Sequence, residues 1–360
     1  MNTFGQNNKR VFTAWQNRLN DFTRQEKLPG SILSVFREKQ EPIAWTGATG
    51  NLSEKQPYFI TGVGKLHILA LLLKLKVRGL VDLDAPITRF LTGEPYRELS
   101  KIKGQDYTYK ITVRHLLSHL SGLPDYFQFS FSGDKSLGEE LLAGKDQSWT
   151  QGDWLVAVKR LGPQYAPGAR KKIVYADSNF QLLGKIIEEI TCQSLEDTLI
   201  NFHFKPLGMH ETYVYKDIHD RTPATFYHHE LELEIPRAMC SLGPVGGMVS
   251  TCRDSMTFIK AFFHGNLFPL SELQLIQEWI PVKASLSYGL GISRYEKPRI
   301  SVPWRDYPEI IGHTGLSGAF AFFVPDLGVF LTGTTNQSTD TLLPFKLARK
   351  FTDLLIKQST

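Results

Sequence analysis

The 360-residue sequence has only three cysteines, Cys192, Cys240 and Cys252, and no CxxC spacing. So sparse and odd a set argues against a disulfide framework and a zinc cluster alike, and free, mostly buried thiols are expected. Runs of five or six like charges are also missing, and 41 basic against 36 acidic residues leave a formal charge of only +5. The basic spots "KVR" (76–78) and "ARKK" (169–172) therefore read as solvated faces rather than nucleic-acid patches, and no nucleic-acid-binding motif accompanies them. The greasiest stretch, 66–75, is too short and too lysine-flanked to cross a bilayer. The opening "MNTFGQNNKR" lacks the apolar segment of a signal peptide. A cytoplasmic location is expected on that ground, or an extracytoplasmic one if a leader has been removed. There is no internal repeat and no obvious linker.

What is present is an ordered globular composition, 42% hydrophobic and 21% charged, able to bury a sizeable core as one large domain or two interleaved ones. Val11, Trp15, Leu19 and Phe22 recur at helical spacing, so an amphipathic helix is expected over 9–26. "SILSVFREKQEPIAWTGATG" reads as two strands around a polar turn. From about 60 to 240 the patterns are mainly helical. A helix near 253–264, a series of strand-like runs ("SYGLGISRY", "EIIGHTG", "GAFAFFVP", "GVFLTGTTNQ") and a closing helix near 340–357 follow. Short turns such as "PDLG" between the last strands favour antiparallel pairing. This order implies an α/β fold of the α+β type, with an antiparallel sheet built from both chain ends and a helical region inserted between them. The expected division is 1–58 with 245–360 for the sheet domain and 59–244 for the helical one, with a cleft between.

The stretch "FITGVGKLH" (59–67) opens a helix that is apolar almost all the way round, yet carries Lys65 at its mouth. Burial penalises a lysine's charge, so something must hold it there. A phosphate loop is excluded: the Walker pattern needs glycine at position 59 and Ser or Thr at 66, where this chain has Phe59 and Leu66. Two further stretches place polar or glycine residues among core-like neighbours, "YADSN" (175–179) ahead of the amphipathic run "FQLLGKIIEEI", and "GHTG" (312–315) among the C-terminal strands. The remaining eye-catching residues read as structural. His115 and His119 sit at i, i+4 without the glutamate of a zinc-binding helix, and His228 and His229 would face opposite sides of a strand. Tyr126 and Phe127 either pack or rim the cleft, and Trp304 and Tyr307 are candidates for contact with a ligand side chain.

Taken in order with their flanks, the three stretches resemble the motifs of the penicillin-recognising serine hydrolases: class C β-lactamases, D,D-carboxypeptidases, D-amino-acid peptidases and related esterases. "VRGLVDLDAPITRFL" (77–91), "ITVRHLLSHLSGLPDY" (111–126), "KPLGMHET" (205–212) and "GGMVSTCRDSMTFIKAFFHG" (246–265) extend the resemblance over most of residues 28–337. It implies the β-lactamase/D,D-peptidase fold and acyl transfer without cofactor or metal, on a small-molecule, peptide or ester substrate. The oligomeric state stays open. Position by position, it implies Lys65 as the base, Tyr175 as proton shuttle with its phenolate favoured by nearby cations, and Asp177 beside it. His313, Thr314 and Gly315 form the third motif, and the N–H groups of residue 62 and Leu316 form the oxyanion site.

The departure is at the nucleophile, three residues before Lys65, where this chain has Gly62. Glycine has no side chain to attack with, so the chain is expected to bind the family's ligands without forming an acyl-enzyme. The glycine reads either as a natural loss that leaves a ligand-binding pseudoenzyme, or as an introduced Ser→Gly replacement that traps uncleaved ligand. A neighbour, Thr61 or more distantly Ser317, is the remaining substitute. His313 in place of the usual lysine is charged only at lower pH unless a neighbour such as Asp177 raises its pKa. A peptidase- or esterase-like ancestry is therefore expected over a dedicated β-lactamase, with an acyltransferase as a further alternative.

Overall fold

Aromatic and β-branched residues dominate the last strands, and they are buried on both faces, which is why they read as continuous apolar runs rather than alternating ones. In the computed structural model, which describes residues 3–39, 42–131, 133–169, 173–296 and 307–359, these strands form the centre of an eight-stranded sheet. Its strands are β1 (Gly30–Arg37), β2 (Ile43–Gly50), β3 (Ile280–Lys283), β4 (Leu286–Tyr288), β5 (Ser293–Tyr295), β6 (Ile310–Thr314), β7 (Ala319–Val324) and β8 (Val329–Thr334). The spatial order is β3-β4-β5-β6-β7-β8-β1-β2, antiparallel throughout. The sheet thus draws on both chain ends, as expected, because β1 pairs with β8.

Helices cover both faces. On one, α1 (Thr3–Gln25) and the closing helix pack Trp15, Leu19, Phe22 and Phe351 against Leu33 and Val35 of β1. Trp45 stacks on Phe351 at 5.9 Å between ring centroids. The other face carries α2 (Gly64–Val77), α3 (Asp177–Thr191) and α4 (Cys252–Phe263). A single core joins Ile32 and Phe330 of the sheet to Leu66, Leu69 and Leu73 of α2, Phe180 of α3 and Phe258 of α4. The helix α2 is enclosed on all sides, which explains its lack of a polar face.

Three readings need correction. His228 and His229 do not point apart, because His229 leaves the strand with φ 55° and its ring meets that of His228 at 4.7 Å. Tyr307 faces away from a ligand: its hydroxyl donates to the Arg349 carbonyl at 3.1 Å in the closing helix; Trp304 and residues 170–172 of the basic spot lie outside the described residues. Of the three thiols only Cys252 is fully buried, while Cys192 is exposed. Among the described residues, no helix is long and apolar enough to cross a membrane.

Among the described residues, four histidines are buried without a carboxylate hydrogen-bonded to them. His67 and His203 approach at 3.3 Å between their Nδ1 atoms, with His67 stacked on Phe258 at 3.5 Å. Burial pushes His67 and His313 down to about 3, and holds His119 and His203 well below the ordinary histidine value. The unfolded chain therefore binds more protons than the folded one below about pH 6.5. The stability these neutral rings confer is complete above that pH and is lost as pH falls towards 3. Asp125, pushed up to about 7, acts in the opposite sense above about pH 4 and offsets one histidine. The urea midpoint should fall steeply between pH 6.5 and 5, and His67→Leu/His203→Leu should flatten that slope by about two thirds. An unchanged slope would mean these rings do not govern acid stability.

Candidate active site

The start of α2, the start of α3 and the end of β6 converge on a cavity of about 420 Å³. A turn of 3₁₀ helix, Thr61–Val63, leads into α2 and puts Lys65 in its first turn. Lys65 is only 3% exposed, and its Nζ lies 2.6 Å from Oδ1 of Asp177, the first residue of α3. The helix N-terminus favours that carboxylate, and the carboxylate in turn offsets the cost of burying the ammonium. The rings of Tyr175 and Phe180 lie 5.3 and 5.5 Å from the same Nζ, adding cation–π contacts. This resolves why a lysine is tolerated at the mouth of an apolar helix.

Tyr175 lines the cavity, partly exposed as a residue but with its phenol end desolvated. Its phenol is pushed well above its ordinary value, by burial first and then by the carboxylates of Asp177 and Asp125. The expectation of a phenolate favoured by nearby cations is thereby reversed. Burial and the neighbouring carboxylates both favour the neutral phenol, so Tyr175 keeps its proton at neutral pH.

His313 on β6 is also neutral. Its Nδ1 lies 2.7 Å from the Thr314 carbonyl and its Nε2 lies 3.2 Å from the Tyr288 hydroxyl. A protonated Nδ1 donates to the carbonyl, leaving Nε2 to accept from the tyrosine. Burial, then the charge of Lys65, lower its pKa to about 3, and the weaker pull of Asp177 does not reverse this. Asp177 therefore does not make His313 a cation.

Beyond His313 the strand ends, and the chain turns with Gly315 N–H donating to the Ala319 carbonyl at 2.8 Å. Gly315 has no space for a side chain, since a Cβ there would fall on Thr61 Oγ1 and lie 2.5 Å from the Ile60 carbonyl. The Leu316 N–H has no backbone acceptor among the described residues, and the Gly62 N–H belongs to the unpaired first turn of its helix. Thr314 and Gly315 thus face the segment that carries Gly62, and with Leu316 they line the cavity.

Gly62 itself is tightly covered. A Cβ built at this position would sit 2.5 Å from the Thr314 carbonyl oxygen and 3.5 Å from the His313 ring. The two candidate replacements for a nucleophile are engaged elsewhere. Thr61, held at φ 39°, points its hydroxyl at Ser317, 3.3 Å away. Ser317 donates to the Phe59 carbonyl at 2.5 Å and is 2% exposed. A β-branched residue in the left-handed region costs on the order of 1–3 kcal/mol, the kind of strain that clusters at functional sites.

Two residues of the site, Asp125 and Tyr288, escaped the sequence reading. Asp125, next to the Tyr126 and Phe127 considered there, lines the cavity and is pushed up to about 7 by burial first and then by Asp177. Its Oδ1 accepts from Phe127 N–H at 3.2 Å, so it also caps a turn. The motif "LPDY" offered that cap as the one legible signal. Phe127 does line the cavity, whereas Tyr126 is fully buried in packing. His119 accepts at Nδ1 from Ala176 N–H (3.2 Å) and the Asn179 amide (3.0 Å), and its ring lies 4.3 Å from that of Tyr175. It fixes the turn that aims Tyr175 into the cleft. His115 closes a capping box with Thr112 instead. Tyr288, the partner of His313, had no pattern to mark it.

The rest of the cavity is apolar, walled by side chains such as Leu141, Leu233, Ile235, Met239 and Leu242. Among its described lining residues Lys65 is the only lysine or arginine, against Asp125 and Asp177. Among the described residues no cluster of three or more histidine, cysteine or carboxylate side chains is arranged to hold a metal.

The chain resembles known proteins in both sequence and fold. It is 23% identical over 282 residues to a putative D-alanyl-D-alanine carboxypeptidase of Salmonella typhi, covering 70% of this chain and 62% of that relative. The chain therefore spans less than two thirds of the length of these curated relatives. A D-stereospecific amidohydrolase from Streptomyces sp. superposes with a TM-score of 0.75 at 25% identity, covering 93% of this chain and 97% of that one. The D-amino acid amidase from Ochrobactrum anthropi SV3, complexed with L-phenylalanine amide, gives a TM-score of 0.77 at 22% identity, over 96% and 98% of the two chains. The Beta-lactamase family model matches residues 11–349, so that this chain, with its sheet, its Lys65–Asp177 pair and its "GHTG" strand, belongs to the β-lactamase-like serine hydrolases.

Proposed function

We propose that the cleft is an acyl-transfer site halted before acylation, which binds a neutral or cationic amide or ester carrying a large apolar group. The observation that carries this reading is Gly62: no side chain stands at the family's serine position, while Lys65, Tyr175 and Leu316 line the same cavity. In this reading Lys65, paired with Asp177, is the base that would serve a nucleophile. Tyr175, protonated, is the group that would pass a proton to a leaving amine or alcohol. The N–H groups of Gly62 and Leu316 hold the carbonyl oxygen, and neutral His313 orients the strand end through Thr314.

The charge balance supports an amide or ester over a carboxylate-terminated peptide. With His313 neutral and Lys65 already paired, the described lining offers no free cation to a substrate carboxylate, and Asp125 adds a repulsive charge as it ionises near pH 7. The neighbouring D-amino acid amidase with its bound amino acid amide agrees with that preference. A natural binding protein, with no hydrolysis at all, is the second reading. It is favoured by the Thr314 carbonyl, which occupies part of the space that a serine at position 62 would need.

Calorimetry separates the ligand classes. D-phenylalanine amide should bind the unmodified protein unhydrolysed, and N-acetyl-D-phenylalanine should bind at least about tenfold more weakly, since one uncompensated buried charge costs more than 1.4 kcal/mol. Tighter binding of the acid would show that a cation reaches the site and would overturn this assignment.

A further inference from the structure

A second polar cavity, of about 390 Å³, opens on the α4 face of the sheet at the β2 edge. It is separated from the active-site cleft by the width of the sheet, since β7 and β8 lie between β6 and β1. Its floor is the cross-strand pair Ser34 and Thr46. The Thr46 hydroxyl donates to Ser34 Oγ at 3.0 Å, so the buried Ser34 keeps its own O–H to donate. One wall is the outer face of α4, where Arg253, Lys260 and His264 follow at i, i+7 and i+11 and so line up on one side.

The charges on this wall are not cancelled. His264 is hydrogen-bonded to Glu38 at 2.7 Å. The carboxylate next along the helix, Asp254, turns inward and accepts from Glu211 N–H and the Thr212 hydroxyl at 2.8 and 2.9 Å. The Arg253 guanidinium has no hydrogen-bond or ion-pair partner among the described residues, although its carbonyl accepts from the Thr257 hydroxyl at 3.1 Å. The Lys260 ammonium lies over the face of the Phe36 ring, 3.5 Å from its centroid, a contact that steadies it without neutralising it. Met256 and Ala261 give the same cavity an apolar side.

We infer that this cavity is a binding site for a small phosphate monoester with an apolar or aromatic body. Two uncancelled cations match the dianionic head group, an arginine fork and a buried hydroxyl supply directional donors, and the apolar side takes the body. Nothing in the acyl-transfer cleft is needed for it, and this inference stands independently of the proposed function.

Titration calorimetry at constant ionic strength tests it with phenyl phosphate, inorganic phosphate and benzoate. Phenyl phosphate should bind saturably, with one site, and more tightly than either of the others. Arg253→Gln/Lys260→Gln should weaken it by at least about tenfold, the loss expected for removing charge-assisted hydrogen bonds, and Ser34→Ala should weaken it by a smaller factor. Lys55→Gln, an exposed cation elsewhere, should leave it unchanged. Unsaturable binding, equal weakening by Lys55→Gln, or benzoate binding as tightly as phenyl phosphate would each overturn the assignment. Both cations lie on the helix surface, so the double variant should keep the parent melting temperature. Unchanged affinity in that folded variant would also refute the site.

Discussion

Gly62→Ser should turn a protein that is never covalently labelled into one that is. With a p-nitrophenyl ester, the unmodified chain is expected to show no mass increase, whereas the serine variant should gain the mass of the acyl group. Removing a nucleophilic serine costs an acyl-transfer enzyme on the order of 10⁶ in kcat. Restoring one here should recover less than that, because its Cβ must displace the Thr314 carbonyl from 2.5 Å. A rise of at least about 10³ in ester turnover is the expected scale. Introducing Lys65→Met into the serine variant should abolish that rise, since a serine without its base is a poor nucleophile at neutral pH. Thr61→Val in the unmodified chain should change nothing, because the Thr61 hydroxyl is engaged by Ser317. A folded Gly62→Ser protein that still binds D-phenylalanine amide but is never acylated would leave the binding-protein reading standing. Ester turnover by the unmodified chain, lost in Thr61→Val, would refute the account of Gly62 altogether.

The second large effect concerns stability. Lys65→Met should destabilise the fold by about 3–5 kcal/mol at pH 7, the usual loss on removing one member of a buried ion pair. The reason lies in what remains. Asp177 is 23% exposed and loses its partner 2.6 Å away, while Asp125 already carries a raised pKa in the same cavity. Two carboxylates then face each other across an apolar pocket with no cation between them. Their pKa values should rise in the variant, and a raised carboxylate pKa confers stability at low pH that is lost as pH rises through it. The deficit should therefore shrink as the pH is lowered from 7 towards 4. Asp177→Asn in the Lys65→Met background should recover most of the loss at pH 7. Urea unfolding of the three proteins at pH 5 and 7 measures both effects. A loss below about 1 kcal/mol, or no recovery in the double variant, would show that the pair is not the electrostatic centre of the site.

Much of the site was legible in one dimension because its members each break a local rule. Lys65 intrudes on a helix with no other reason for charge, "YADSN" sets reactive side chains before an amphipathic run, and "GHTG" interrupts a run of core strands. Gly62 could be read only through family resemblance, since a glycine alone announces nothing about the serine it stands for. Asp125 was missed because its carboxylate caps a turn, a role that satisfies a local pattern and hides the second one. Tyr288 was missed because a tyrosine in a strand is unremarkable until its hydroxyl is found on His313.

The sequence by itself determined the antiparallel sheet drawn from both chain ends, the buried helix behind Lys65, and the absence of a nucleophile at position 62. These are matters of periodicity, turn chemistry and residue identity, which act locally along the chain. Only the tertiary structure decided the protonation of the site. Whether His313 is a cation and Tyr175 a phenolate depends on how far each is buried and which charges surround it: burial first, then Lys65 beside His313 and the Asp177 and Asp125 carboxylates beside Tyr175, keeps both neutral. Electrostatic energy falls off with distance and depends on the surrounding dielectric, so it is set by folding together segments that lie far apart in the chain.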